Sequence, residues 1–295
     1  MPVLDENILE HTLIEPALAD EALLDQIGAT RLDPGSIAFW RLGQSGVLIK
    51  SRFGMIVIDP YLSESLTRKY ANSARPHVRI TRAPLRGADL KSVDLIIASH
   101  KHSDHFDPET TREILNASPR ARLIVPEALR GYAIGLDIDD RRLIGLDAGG
   151  SFEYPGARIR AIPSAHEGLD VDDSGRHLYL GFVIEIDGIR LYHSGDTVVY
   201  DGLIANLGAA RFDLLFLPIN GRDRSRGVPG NMNITEAIDL ARTIRPRFVV
   251  PHHYDMFAFN SANVVDFVHE AERLSAGVAA IAPRCGERTI VSRIE

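Results

Sequence analysis

Val93-Asp94-Leu95-Ile96-Ile97-Ala98-Ser99-His100-Lys101-His102-Ser103-Asp104-His105-Phe106-Asp107 is the stretch on which the reading of this chain turns. Its first half, Val93 to Ala98, is a short apolar run of the kind that forms a strand buried on both faces. It then breaks into His100, His102, Asp104 and His105, four metal-ligand types within six residues. Imidazole and carboxylate together suit zinc, manganese or iron. Residues two apart in an extended segment point the same way, so His100 and His102 can grip one ion together. Asp104 and His105 follow as the chain turns and can face a second ion beside it. A polar surface loop rich in histidine is the competing reading, and the density of ligand types disfavours it.

Bulk properties narrow the function classes. The 295 residues carry 45% hydrophobic and 25% charged side chains, ordinary for a globular protein. A formal charge of -7 argues against a generic nucleic-acid binder. One cysteine, Cys285, rules out an intramolecular disulfide and fits a reducing cytoplasm. No basic start followed by an apolar core marks a signal peptide, and no apolar run approaches the ~20 residues that span a bilayer. A cytoplasmic protein with no membrane partner is expected.

Outward from the central stretch, residues 1–32 read as an acidic helical extension. Leu9, Leu13, Leu18, Leu23 and Leu24 lie on one or two short amphipathic helices that pack on the main body or on a second subunit, so a homo-oligomer is one expectation. Asp33-Pro34-Gly35 marks a turn, and residues 33–295 read as one domain. Ile37 to Leu42, Val47 to Lys50 and Met55 to Ile58 look like consecutive strands, the third ending in Asp59-Pro60. An aspartate there caps nearby backbone or supports a metal-bound histidine. Residues 61–90 carry Arg68, Lys69, Arg75, Arg79, Arg82 and Arg86 with little periodicity, as either a cover that holds an anionic substrate or a solvated excursion.

Beyond the metal stretch, Asp107-Pro108 starts a capped helix. Strands and helices then alternate, which suggests sheets covered by helices. The strand at Ile159 ends in Pro163-Ser164-Ala165-His166-Glu167. A hairpin about Asp187-Gly188 ends in His193-Ser194-Gly195-Asp196-Thr197. Glycine before the aspartate allows close backbone approach, and the carboxylate can bridge two ions with its two oxygens. The strand Asp213 to Pro218 opens into a Gly- and Arg-rich loop in which Arg222, Arg224 and Asn231 could grip a phosphate or carboxylate. A helix with an Asn233/Glu236 capping box follows. The strand Arg247 to Pro251 ends in His252-His253-Tyr254.

His100-Lys101-His102-Ser103-Asp104-His105 after a hydrophobic strand resembles the signature of the metallo-β-lactamase superfamily. The resemblance implies a four-layer αββα sandwich with the ligands on loops at one edge of its two sheets. It implies His166 as the third ligand beside His100 and His102, and Asp196 as the bridge. His253 would join Asp104, His105 and Asp196 on the second ion, with His252 and His193 as neighbours of undecided role. Asp59 takes a supporting part without binding metal. Two divalent ions, zinc or manganese, would share a water or hydroxide that serves as the nucleophile. Asp104, besides binding metal, would take up and return a proton.

Trp40 to Gly46, Leu191 to Asp196 and Pro251-His252-His253 resemble the L-ascorbate 6-phosphate lactonase branch of that superfamily. The chain departs from it at Pro163 to His166 and around residue 170. The function that this implies is hydrolysis of a lactone or ester of a small sugar acid, phosphorylated or not. Arg222, Asn231 and Tyr254 are the candidates for holding that anionic small molecule. A phosphodiesterase acting on a small or cyclic nucleotide is the second reading. A metal-binding regulatory or structural protein without turnover is the third.

Overall fold

Short apolar runs punctuated by turn residues become strands of two seven-stranded sheets in the computed structural model, which describes residues 13–227, 230–273 and 278–294. The first sheet begins with β1 (Ser36–Gly43), β2 (Gly46–Ser51) and β3 (Gly54–Ile58) and continues through β4 (Leu95–Ile97), β5 (Arg122–Pro126) and β6 (Leu143–Leu146). The second holds β7 (Ser151–Tyr154), β8 (Ala157–Pro163), β9 (Leu180–Ile186), β10 (Ile189–His193), β11 (Leu214–Pro218), β12 (Phe248–His252) and β13 (Ala279–Ala280). The last strand, β14 (Arg288–Ser292), returns to the first sheet and pairs with β1.

The two sheets follow one plan. In the order β14-β1-β2-β3-β4-β5-β6, the first three pairings are antiparallel and the last three parallel. In the order β7-β8-β9-β10-β11-β12-β13 the same sequence of pairings recurs. Parallel neighbours need crossover connections, and these supply the helices. On the first sheet they are α2 (Ser65–Lys69), α3 (Pro108–Ala117) and α4 (Arg130–Gly135). On the second they are α5 (Leu203–Leu207), α6 (Ile234–Ile244) and α7 (Val264–Arg273).

Three apolar layers hold this αββα sandwich together. Between the sheets, Phe39, Ile49, Ile58, Ile97 and Ile124 meet Ile159, Phe182, Ile184, Leu191 and Phe216. Phe39 and Phe216 touch edge to face across the gap, with ring centroids 5.3 Å apart. The outer face of the first sheet, with Trp40, Leu48 and Ile96, is covered by Leu23, Ile27, Ile114, Leu115 and Ala133. The outer face of the second, with Val183, Leu215 and Val249, is covered by Leu203, Leu207, Ile238, Leu240 and Phe267. Truncating any fully buried leucine or isoleucine in these layers to alanine costs about 2–5 kcal/mol.

Among the described residues near the N-terminus one helix forms, α1 (Asp20–Ala29). It lies on the main body through Leu23 and Ile27, and Gln26 Oε1 accepts from Trp40 Nε1 at 2.9 Å. Leu13 and Leu18 precede it in irregular chain, because Ile14 is drawn into a bridge with Thr81 instead of a helix. Leu9, expected in a helix, lies outside the described residues. No described helix is long and apolar enough to cross a membrane.

Candidate metal centre

The site grows from the C-terminal ends of parallel strands of both sheets, where open α/β sheets bind ligands. The chain after β3 supplies Asp59, that after β4 His100 to His105, that after β10 Asp196, and that after β12 His253. His166 comes from the turn after β8. Backbone strain is concentrated here. Gln44, Asp59, Glu167 and His253 hold φ of 47°, 45°, 73° and 63°, the left-handed region that non-glycine residues seldom occupy. Gly195 also has a positive φ, and a Cβ there would lie 2.7 Å from Ser99 Cβ. Only glycine lets the following Asp196 approach the first sheet so closely.

Asp196 is the hub. Its Oδ1 lies 2.7 Å from His253 Nε2 and 3.2 Å from His105 Nε2, and its Oδ2 lies 3.6 Å from His166 Nε2. Potential ligand atoms of His100, His105 and Asp196 fall within 4.8 Å of one another, as do those of His102, His166 and Asp196, and of Asp196, His252 and His253. The grouping differs from the expected partition: Asp104 belongs to none of the three clusters, His252 joins Asp196 and His253, and His100 changes place. His100 sits with His105, although its ring also faces His102 and His166 at 4.7 and 5.8 Å. Asp104 stands at the edge, with Oδ2 3.9 Å from His105 Nε2 and 2.8 Å from Gln44 Nε2, which donates to it.

The donor set fits divalent metal. His100 Nε2 is buried without a hydrogen-bond partner among the described residues, and His105 Nε2, His253 Nε2 and Asp196 Oδ1 are buried and approach one another without forming an aligned hydrogen bond. Leaving such groups unsatisfied is costly, and shared cations answer all of them together. Outer partners fix the ring orientations. Asp59 Oδ2 takes His105 Nδ1 at 2.8 Å, while its two oxygens accept from Ser99 N and Oγ at 2.7 and 2.6 Å. His166 Nδ1 donates to Gly230 O at 3.1 Å. Both arrangements turn Nε2 inward.

Electrostatics divide the imidazoles. Burial pushes His100 well below the ordinary value, with the His105 and His102 charges adding to it. Burial likewise lowers His102, to about 4, against the pull of Asp104. Both rings are therefore neutral at pH 7, with a lone pair available. Burial opposes charge on His105 too, but Asp196, Asp104 and Asp59 outweigh it and raise it well above the usual range. For Asp196 burial works against ionisation, yet His105 and His253 hold it well below the carboxylate range. Asp104 behaves the same way: burial is overcome by His105, His253 and His102.

His193 turns both nitrogens to protein: Nε2 lies 2.9 Å from Ser45 O, and Nδ1 accepts from Gly195 N at 3.3 Å. That leaves it no lone pair for metal. His252 stacks on His193 with centroids 5.3 Å apart and an interplanar angle of 4°. Its Nε2 lies 3.4 Å from Ser194 Oγ.

A cavity of about 330 Å³ opens over the cluster. His102, Asp104, His166 and Asp196 form its inner end, and Asn231 and Asn260 one wall. Tyr70, His77 and Phe257 line another wall, with Tyr132 also on the lining. His77 stacks on Tyr70 at 4.2 Å and meets Phe257 edge-on. Lys69 and Lys101, both exposed, are the cations on the lining.

Two of the three expected substrate contacts lie elsewhere. Tyr254 is buried beneath the site: Arg41 covers its ring at 3.7 Å, and its hydroxyl donates to Pro283 O. The Arg222 guanidinium is drawn to Glu236 at the start of α6. Neither lines the cavity; Asn231 does. The basic segment 61–90 is mostly spoken for. Arg68 pairs with Glu109, Arg79 with Glu64, Arg82 with Glu15 and Asp20, and Arg86 with Asp89. Arg75 donates to Ser225 O and Arg226 O. Only Lys69 of those six reaches the cavity. Gln44, Ser99 and Asn260 carry site geometry that the sequence reading assigned to none of them.

A family model described as "Beta-lactamase superfamily domain" matches residues 55–254. A UPF0173 metal-dependent hydrolase of Pyrococcus horikoshii is 30% identical over 217 residues, covering 72% of this chain and 82% of that one. One from Thermus thermophilus is 27% identical, covering 73% and 83%. Among solved structures, an isothiocyanate hydrolase from Delia radicum gut bacteria superposes with a TM-score of 0.70 at 18% identity, covering 87% of this chain and 100% of that one. Igni18, a metallo hydrolase from Ignicoccus hospitalis, gives 0.64 at 22% identity, covering 88% and 100%.

Proposed function

Since the chain belongs to the beta-lactamase superfamily and is a metal-dependent hydrolase of it, we propose that its substrate is a small anionic lactone or ester, a phosphorylated sugar acid being the model case. The observation that carries this is the pairing of the inward-facing ligand atoms with Lys69 and Lys101 on the lining of a cavity sized for a small molecule. His100, His102 and His166 would hold one divalent ion, Asp104, His105 and His253 a second, and Asp196 both. Zinc or manganese suits those donors. Such ions supply Lewis acidity and make water ionisable near neutral pH.

The chain's own groups do the rest. Lys69 and Lys101 draw the anionic end of the substrate to the mouth, which leaves the electrophilic carbon facing the histidines. Asp104 is the one carboxylate of the set that is both on the cavity lining and partly exposed, so it takes the proton released as water adds and returns it to the leaving oxygen. Gln44 keeps that carboxylate aimed. Asp59 holds the His105 Nδ1 side, so that Nε2 stays directed at Asp196.

The test is metal content together with turnover of a sugar-phosphate lactone and of a bis-phosphodiester, before and after loading with zinc or manganese. About two metals per chain with lactone turnover supports the proposal. Turnover of the phosphodiester alone would keep the site and replace the substrate class. Full loading with no turnover of either would favour a metal-binding protein without catalysis.

A further inference from the structure

One wall of the cavity is built from side-chain amides in a chain. Asn231 Nδ2 donates to Asn220 Oδ1 at 3.2 Å, and Asn220 Nδ2 donates to Asn260 Oδ1 at 2.8 Å. At the far end stands Arg226, whose Nη1 donates to Asn220 O at 2.5 Å and approaches Asn260 Oδ1 at 3.5 Å. A guanidinium has donors and no acceptor. It therefore fixes the direction of the whole chain: the Asn260 oxygen must face Arg226, its neighbours follow in turn, and Asn231 is left with its oxygen uncommitted. That Oδ1 is buried without a partner among the described residues, on a side chain that lines the cavity and is 1% exposed.

The segment carrying it is held against the metal-site loops. Gly230 O receives His166 Nδ1, Gly230 N donates to Glu167 Oε1 at 2.9 Å, and Met232 N donates to Thr197 O at 2.9 Å. Asn231 is thus clamped between the loops of His166 and Asp196 and cannot turn away without disturbing them.

We propose that Asn231 Oδ1, polarised and held by the Asn220–Asn260–Arg226 chain, is the acceptor that selects substrates with a hydroxyl or N–H donor close to the hydrolysed group. A buried acceptor with no other partner discriminates strongly, because an analogue lacking the donor leaves it unsatisfied. The inference rests on the cavity being the substrate site of the proposed hydrolase.

The experiment uses the zinc-loaded full chain and two probes, 2-hydroxy-γ-butyrolactone and its methyl ether, with binding read by calorimetry and turnover by ring-opening in the same samples. Wild type is expected to bind the hydroxyl probe at least tenfold more tightly. Asn231→Leu should bind both within about twofold. Arg226→Met, which frees the amide chain to reverse, should lose much of the preference while keeping metal content and melting temperature. Equal binding of both probes by wild type, binding of neither, or an undiminished preference in Asn231→Leu would overturn the inference. Discrimination in binding without ring-opening would sustain it and overturn the lactone reading; ring-opening of both probes at equal kcat/KM would do the reverse.

Discussion

His105 Nδ1 and Asp59 Oδ2 lie 2.8 Å apart, and both side chains are fully shielded from solvent. The contact makes Asp59 the residue that decides which imidazole nitrogen faces the metal site. Asp59→Asn keeps the shape and removes the charge. Metal affinity is expected to fall by about 10- to 100-fold, the usual effect of losing such a partner. Competition with a chelator of known affinity measures it, and unchanged affinity would remove Asp59 from the site.

His105, raised by Asp196 ahead of Asp104 and Asp59, sets a pH dependence in the metal-stripped protein. The folded His105 pKa is raised above its unfolded value, near 6.5. Its stabilising contribution is therefore complete below that value and is lost as pH rises through the folded pKa. Asp196 acts in the opposite direction: its folded pKa is depressed, so its contribution is present above about 3.8 and lost as pH falls. Melting temperature of the stripped protein should decline from pH 6.5 upward, and His105→Gln should flatten that limb. Metal uptake at pH 7 should release about one proton from His105, read as a buffer-dependent binding enthalpy.

Gln44 donates to Asp104, the carboxylate proposed to carry the proton, at 2.8 Å. Gln44→Glu would replace that donor with a repelling carboxylate. A loss in kcat on the order of 100-fold is expected, with metal content unchanged. A fall in kcat/KM through KM alone would show that Gln44 has no part in aiming Asp104.

Lys69 and Lys101 are exposed, so each contributes modestly. Lys69→Ala and Lys101→Ala should each raise KM for an anionic substrate by up to about fivefold at low salt, with little effect on kcat. The difference should shrink in high salt. Salt-independent KM values would argue against an anion at that end.

Tyr254→Phe and Arg222→Ala probe the two residues turned away from the cavity. Both should keep kcat/KM within about twofold of wild type. Tyr254→Phe loses the bond to Pro283 O and should cost about 1 kcal/mol of stability. A large kinetic defect in either would return it to the substrate wall.

The individual strands were legible because they are short apolar runs with turn residues between them, whereas their stacking into a four-layer sandwich was implied only by the resemblance of the His100 to His105 motif to a known superfamily. The hairpin about Asp187-Gly188 and the capped starts of α3 and α6 rest on local chemistry that reads straight from sequence: Asp107 accepts from Glu109 N and Thr110 N, and Asn233 and Glu236 satisfy each other's backbone. The helices α2 and α5 were not legible, each being five residues long and too short for a periodic signal. His100, His102, Asp104 and His105 were legible as candidate ligands from their density after one strand, while His166, Asp196 and His253, each alone at a strand end, were picked out through the resemblance. What surrounds them was not legible. Gln44 meets Asp104 across 60 residues and Arg75 meets Ser225 across 150, and no local pattern encodes either contact. Tyr254 follows His253 in sequence, yet the positive φ of His253 and the Arg41 cover take the phenol to the opposite side.

The shared strand plan of the two sheets carries a further consequence. The ends of β3 and β4 bring Asp59 and His100 to His105, while the ends of β8, β10 and β12 bring His166, Asp196 and His253. Neither half of the chain carries all of the candidate ligands. If the proposed ligands hold the metal, the centre is a coincidence detector for assembly: a chain nicked in the turn between β6 and β7 should take up metal tightly only when its two fragments have found each other.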